Sequence, residues 1–144
     1  MWYRYEIEVP AGTTALRPER HEIGIPAGVI TGVRVRFPPG PRGLVSIGIF
    51  QGTHKMWPRG YETPTGVPDR PGPPAWYRGD NEWIAWNEHV PNIEGWHWFL
   101  VGFAPATAYP HTVFVDIFIL ETEYAETWGP IQELVKTLKD LIGL

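Results

Sequence analysis

The sequence contains no cysteine, no long apolar run and no cluster of basic residues. Without cysteine the chain has no disulfide, no thiolate metal site and no cysteine nucleophile. No apolar stretch approaches the about 20 residues that span a bilayer. A net charge of −4 without a basic run disfavours a nucleic-acid-binding groove. We therefore expect a single domain that binds no nucleic acid and does not span a membrane.

The amino terminus also lacks the apolar segment of a secretory signal peptide. Residues 1–6 have the sequence MWYRYE, which combines aromatic and charged side chains. A signal peptide would place an uninterrupted apolar region there. We therefore expect the protein to be made and kept inside a cell, or to be packaged there.

Motifs of the common enzyme classes are missing as well. The chain has no Gly-x-Ser-x-Gly elbow, no glycine-rich phosphate loop and no His-Glu-x-x-His pair, and its five histidines are scattered without metal-ligand spacing. Asp116 lies within an apolar segment and is either a buried general acid or an ion-pair partner of Arg34 or Arg36. We favour the ion pair, and we expect a protein that is not an enzyme and has no catalytic residue, cofactor or metal.

Glycine and proline are abundant, with 16 residues of each, and they separate short segments of strand period. Together with the short segment EWIAW, these segments suggest about six or seven strands. This pattern predicts an all-β fold, an antiparallel β-sandwich that is jelly-roll-like or related. The connection FPPGPRG predicts a hairpin between the second and third segments. The alternating segments are residues 2–9, 29–37, 44–52, 96–104 and 111–120.

The last of these segments carries apolar side chains on both faces. Val113, Val115 and Ile117 alternate with Phe114 and Phe118, so one face suits the core and the other is too apolar to stay in water. A second sheet, the tail or another subunit must cover that second face. We therefore predict that both phenylalanines bind a partner and that the protein is a homo-oligomer, with a trimer favoured.

Residues 57–80 break the strand pattern because they are dense in proline and glycine. We predict a long, extended loop within a sandwich domain that spans residues 1–121. The aromatic and arginine side chains of this loop are of the types enriched in binding hot spots. The predicted partner-binding residues of the loop are Trp57, Arg59, Tyr61, Trp76 and Tyr77.

Four tryptophans, Trp83, Trp86, Trp96 and Trp98, fall close together in the sequence. If buried, they fill a core or an interface, as large aromatic residues usually do. If exposed and coplanar, they form a platform on which sugar rings stack, and Trp96 and Trp98 share one face of a predicted strand. We favour the core or interface and keep a carbohydrate- or receptor-binding module as the alternative function.

Residues 122–144 form a predicted tether and an amphipathic helix. Thr127 caps the helix, Pro130 lies in its first turn and Gly143 ends it. An isolated helix of this length is marginal in water, so its apolar stripe must be buried. The stripe packs on its own sandwich, on a neighbouring subunit or capsid protein, or on a membrane surface. Its predicted partner-binding residues are Ile131, Leu134, Leu138 and Leu141.

Four stretches of the sequence carry a resemblance to known proteins that spans about residues 3–120. They are YEIEVPAGTT, IPAGVITGVRVRFPPGPRGLVSIGIFQG, the following WP, and YPHTVFVDIFIL. In strand and turn sequence this region resembles small all-β virion proteins of tailed phages. Among these it is most similar to capsid decoration (auxiliary) proteins of thermophilic tailed phages. The resemblance implies a non-enzymatic trimer on the outer capsid surface that clamps neighbouring major capsid proteins. It also implies synthesis in the host cytoplasm before assembly into the virion.

Overall fold

Short alternating segments between glycines and prolines form eight β-strands. The computed structural model describes residues 1–61, 74–121, 136–138, 140–141 and 143. The strands are β1 (Trp2–Val9), β2 (Glu19–Ile23), β3 (Gly28–Phe37), β4 (Ser46–Gln51), β5 (His54–Trp57), β6 (Glu82–Asn92), β7 (Trp98–Phe103) and β8 (His111–Glu121). All eight strands thus lie within the predicted sandwich domain.

The strands form two four-stranded sheets with the orders β1-β8-β3-β6 and β2-β7-β4-β5. All strand pairs are antiparallel. Every connection passes from one sheet to the other except the one between β4 and β5, which pair with each other. This is the strand order of a jelly roll, a double-sheet fold with Greek-key connections. The prediction of an all-β antiparallel sandwich is confirmed.

The predicted hairpin between residues 29–37 and 44–52 is wrong. β3 pairs with β6 and β8, whereas β4 pairs with β5 and β7 in the other sheet. Both strands have an apolar core face, and alternation alone does not say which sheet a strand joins. Three prolines in the connection, Pro38, Pro39 and Pro41, suit an arch between sheets.

The core lies between the two sheets and contains the predicted inner face of the last strand. Val113, Val115 and Ile117 of β8 are fully buried. At one end of the core the indole rings of Trp57 and Trp98 stack, with centroids 5.7 Å apart and planes 14° apart. Burial of such large side chains is worth about 1.5–3 kcal/mol each. The two indoles therefore anchor β5 against β7.

Part of the outer face of the β2-β7-β4-β5 sheet, at β4 and β7, is covered by the segment around Trp76. Tyr77 and Ile47 exchange two backbone hydrogen bonds of 2.9 Å, which hold the segment against β4. The neighbouring Trp76 then packs edge-on against Phe103, with ring centroids 4.8 Å apart. A Cβ atom on Gly48 would lie only 2.9 Å from the Trp76 ring, so glycine is required beneath the indole.

Helical structure is present in the described part of the predicted carboxy-terminal helix. Lys136–Leu138, Asp140 and Leu141 are helical, and the side chains of Leu138 and Leu141 are 52% and 77% exposed. The predicted stripe residues Ile131 and Leu134 lie outside the described residues. In the described ranges, no helix has both the length and the apolar character needed to cross a membrane.

Candidate functional site

The outer face of the β1-β8-β3-β6 sheet carries arginine and tryptophan side chains in register. Strand pairing aligns them in three cross-strand rows, in the order β1, β8, β3, β6. The rows are Trp2–Phe118–Gly32–Asn87, Arg4–Asp116–Arg34–Ala85 and Glu6–Phe114–Arg36–Trp83. Since side chains alternate between the two faces of a strand, all twelve positions face away from the core. We call these three rows the arginine face.

A buried carboxylate lies at the centre of the arginine face. Asp116 is only 2% exposed and accepts hydrogen bonds from two arginines. Arg4 donates from Nε and Nη2 at 2.8 and 3.1 Å, and Arg34 donates from Nε at 2.8 Å. Burial by itself raises the pKa of the Asp116 carboxyl, but the hydrogen bonds and charges of the two arginines outweigh it and lower the pKa.

The favoured interpretation of Asp116 as an ion-pair partner of Arg34 is confirmed. Its lowered pKa keeps the carboxyl ionised at neutral pH, which is the opposite of what a general acid needs. The sequence did not suggest Arg4 as the second partner, because the pairing of β1 with β8 is not visible in it. Asp116 therefore acts to hold the two guanidinium groups in place.

The same guanidinium groups stack on the exposed aromatic rings. The Cζ atom of Arg34 lies 4.3 Å from the ring centroid of Trp2 and 4.9 Å from that of Trp83. Arg36 lies 5.2 Å from the Trp83 ring, and Arg4 lies 5.8 Å from it. Such cation–π contacts stabilise the arginine side chains on the ring faces. The ring faces of both tryptophans are thus in contact with cations.

A shallow apolar depression of about 270 Å³ adjoins this array. It is lined by Trp2, Thr31, Gly32, Asn87 and Phe118. The rings of Trp2 and Phe118 meet edge-on, with centroids 5.2 Å apart and planes 68° apart. A Cβ on Gly32 would lie 3.3 Å from the Trp2 ring, so the small residue lets the indole lie close to β3. The depression has room for a small apolar side chain.

Of the residues predicted to form a partner-binding loop, Trp57 is not in a loop and is not on the surface. It ends β5, is 2% exposed, and donates from Nε1 to Glu88 Oε1 at 2.8 Å. The proline-rich sequence that follows concealed the strand, so the predicted loop boundary at residue 57 is corrected. Arg59, in contrast, has a 64% exposed side chain 3.7 Å from Glu88, and Tyr61 is 64% exposed.

The two other loop residues, Trp76 and Tyr77, are half-buried against their own domain. Trp76 packs on the outer face of the second sheet at Phe50 and Phe103, and the Tyr77 ring lies 4.8 Å from that of Trp86. Burial, reinforced by the charge of Glu88, raises the pKa of the Tyr77 hydroxyl. Residues 62–73 of the predicted loop lie outside the described residues.

The four clustered tryptophans do not share one surface. Trp98 is fully buried and Trp86 packs against the core, while Trp83 and Trp96 are 46% and 39% exposed. Trp96 precedes β7 in a turn, so it does not form a strip with Trp98. The favoured core interpretation fits Trp98 and Trp86. Trp83 instead belongs to the arginine face, and its contacts with arginines of other strands were not predictable from the sequence.

Two histidines pair with acidic side chains on the surface. His21 Nε2 lies 3.0 Å from Glu19 Oε1, and His97 Nδ1 lies 2.6 Å from Glu22 Oε1. Across the residues that the structure describes, no three His, Asp or Glu side chains come together as metal ligands.

No protein-family model, curated protein or solved structure matches this chain. The likeness to capsid decoration proteins therefore stays an expectation from the strand and turn sequences.

Proposed function

We propose that the protein is a non-enzymatic structural protein of a virus particle, a decoration protein that oligomerises and clamps neighbouring major capsid proteins. Two observations support the proposal: the resemblance of the strand and turn sequences, and the jelly-roll fold, which recurs in viral capsid domains. Because that fold also occurs in lectins and enzymes, the fold alone does not determine the function, and the surface of this chain must support it.

The observation that carries the proposal is the difference between the two outer sheet faces. On the β2-β7-β4-β5 sheet, Trp76 covers part of the outer face at β4 and β7, whereas the arginine face leaves Trp2 and Trp83 44% and 46% exposed. Tryptophan and arginine are the residue types most enriched in protein-binding hot spots. A face that combines them in three rows is suited to docking on another protein.

The arginine face is also ordered before it binds. Asp116 fixes the Nε atoms of Arg4 and Arg34 at 2.8 Å, and both guanidinium groups contact aromatic rings. Long arginine side chains otherwise lose rotamer freedom when they enter an interface. Their order in the free protein reduces that cost and favours tight association.

We further propose that the subunits form a trimer through the carboxy-terminal helix. Leu138 and Leu141 are helical and largely exposed, which leaves apolar surface for a neighbouring subunit. A closed ring of subunits buries such a surface without leaving an open end. The arginine face then remains available for the shell.

The test is co-sedimentation with expanded empty capsids of the virus that encodes the chain. We expect the protein to sediment with the particles, and gel filtration with light scattering to give the mass of a trimer. The double variant Trp2→Ala/Trp83→Ala should stay folded and lose particle binding. Protein that remains in the supernatant at micromolar concentration contradicts the capsid role, and a monomer at that concentration contradicts the trimer.

A carbohydrate-binding module is the second candidate, favoured by the depression beside Trp2 and Asn87. Sugar rings, however, stack on open tryptophan faces, and the Trp2 ring already has the Arg34 guanidinium 4.3 Å from its centroid. This occupancy makes the protein-binding proposal the stronger one. Titration of tryptophan fluorescence with neutral glycans separates the two, because only a sugar-binding face should give a saturable change.

A further inference from the structure

We propose that the arginine face binds an extended acidic segment of the partner protein, with an apolar residue followed by two carboxylates at alternate positions. The apolar side chain enters the depression at Gly32, and the carboxylates meet Arg34 and Arg36. The inference rests on the proposed function in one respect, since a capsid protein would supply the segment.

The charge of the arginine face supports an acidic partner. Its three rows contain three arginines, at positions 4, 34 and 36, against the carboxylates of Asp116 and Glu6, so the face is +1 (three minus two). The whole chain is −4. The arginine face is therefore a locally positive patch on a chain that is acidic as a whole, and such a patch favours and orients an anionic partner.

The spacing of the arginines matches an extended peptide. Gly32, Arg34 and Arg36 are alternate residues on one face of β3, and alternate residues of a strand are about 6.6–6.8 Å apart. An extended segment aligned with β3 has the same spacing between its own alternate side chains. The bound segment therefore has five residues in which the first is apolar and the third and fifth are acidic, or the same order reversed.

Arginine chemistry favours carboxylates at these positions. A guanidinium group offers several N–H donors in a planar fork that fits a carboxylate. Arg34 uses only its Nε on Asp116, and within the described residues its two terminal nitrogens bond no other side chain. Its side chain is 37% exposed, so part of it is accessible to a partner. The contacts with the Trp2 and Trp83 rings, at 4.3 and 4.9 Å from the Cζ atom, together with the Nε bond to Asp116, hold the guanidinium group in place.

A protein segment fits this surface better than a sulfated polysaccharide does. Polyanion binding depends on many cations that displace counterions, whereas this face is only +1. The depression at Trp2 and Phe118 is apolar, and a polysaccharide has no apolar side chain to fill it. An acidic segment with one aliphatic residue uses both parts of the surface.

Fluorescence anisotropy with labelled peptides provides the test. The probe contains the sequence Leu-Ser-Glu-Ser-Glu, and matched controls contain Leu-Ser-Gln-Ser-Gln and Leu-Ser-Ser-Glu-Glu. We expect the first control peptide to bind about tenfold more weakly than the probe, and the second to bind several-fold more weakly. The affinity of the probe itself should fall as the salt concentration rises. A heparin oligosaccharide measured in parallel should bind more weakly than the acidic peptide.

Arg36→Glu should weaken binding of the acidic peptide by about tenfold or more through like-charge repulsion. Its matched control is Arg20→Glu on the opposite sheet, where the arginine also stacks on an aromatic ring, 3.8 Å from the Phe99 centroid. That variant changes the charge equally and should bind as the parent does. Arg36→Gln provides a milder change, and thermal melts confirm that all three variants are folded.

Equal binding of the glutamate and glutamine peptides overturns the inference, and so does full binding by Arg36→Glu or tighter binding of heparin. Capsid co-sedimentation with the same variants keeps the two proposals apart. Capsid binding that survives Arg36→Glu supports the proposed function and overturns the acidic segment. Peptide binding of the expected pattern without any capsid binding supports the acidic segment and overturns the capsid role.

Discussion

Asp116 of β8 and Arg34 of β3 are direct cross-strand partners, with Arg34 Nε 2.8 Å from Asp116 Oδ2. Arg4, the cross-strand partner on the other side, bonds the same carboxylate from β1. One buried side chain thus links three adjacent strands on the face opposite the core. It stabilises the sheet and orders the binding surface at the same time.

Replacing Asp116 with asparagine should lower the free energy of unfolding by about 2 kcal/mol. The change removes charge-assisted hydrogen bonds to two arginines and places amide hydrogens against guanidinium donors. Urea unfolding measures the loss, and Thr112→Ala on the same face of β8 serves as the control. A loss equal to that of the control would contradict the role of the carboxylate.

The contribution of Asp116 to the free energy of unfolding should decrease as the pH falls. Its pKa is lowered in the folded state, so folding favours the ionised form. The stabilisation is fully present above the ordinary carboxyl pKa of about 4 and is lost as pH falls through the folded pKa. The difference in unfolding free energy between the parent and Asp116→Asn should therefore shrink below about pH 4. A difference that stays constant from neutral to strongly acidic pH would be inconsistent with this coupling.

Gly48→Ala should destabilise the protein by about 1–3 kcal/mol through overpacking. The new methyl group would lie 2.9 Å from the Trp76 ring and 3.1 Å from that of Phe50, so a ring must move. Gly24→Ala is the matched control, because no atom lies within 4 Å of its added Cβ. Thermal melts compare the stability of the two variants. In the double variant Gly48→Ala/Trp76→Ala, the loss of unfolding free energy should be smaller than the sum of the losses in the two single variants. Equal melting temperatures for the two alanine variants would rule out the predicted crowding.

Leu138→Asp should change the free energy of unfolding by less than about 1 kcal/mol while weakening self-association. The side chain is 52% exposed, so a charge there costs little within one subunit. Leu16→Asp is the matched control, since Leu16 is 94% exposed in a turn. Light scattering over a range of concentrations measures the association. A large drop in melting temperature for Leu138→Asp alone would show that the helix belongs to the subunit core.

The sequence predicted the fold class and several strands well, because their alternation is strong. Trp2–Val9 was predicted with its observed bounds, and the inner face of β8 was predicted residue by residue. β2 and β5 were missed, since β2 is rich in charged residues and β5 is a short strand beside a glycine turn. β6 was underestimated as a short segment because its outer residues after Trp83, such as Ala85, Asn87 and His89, are polar or small.

The candidate site was only partly predictable for a topological reason. Asp116 and one of its partners, Arg34, were suggested by their position in strands, and Phe114 and Phe118 by their place on a second apolar face. Trp2 and Arg4 come from a strand more than 100 residues away in sequence, as the separation of 112 between Arg4 and Asp116 shows. Alternation assigns each residue to a face, but only the strand order brings distant faces together.

The unequal outer faces of the two sheets have a consequence for growth of an assembly. On the proposed function, a subunit docked through its arginine face would present to solvent the opposite sheet face, where Trp76 packs on Phe50 and Phe103, and so would offer no second arginine face. Under that proposal, deposition of such subunits on a particle would end with a single coat. The thickness of the coat is then set by the fold of one subunit and not by how much protein is supplied.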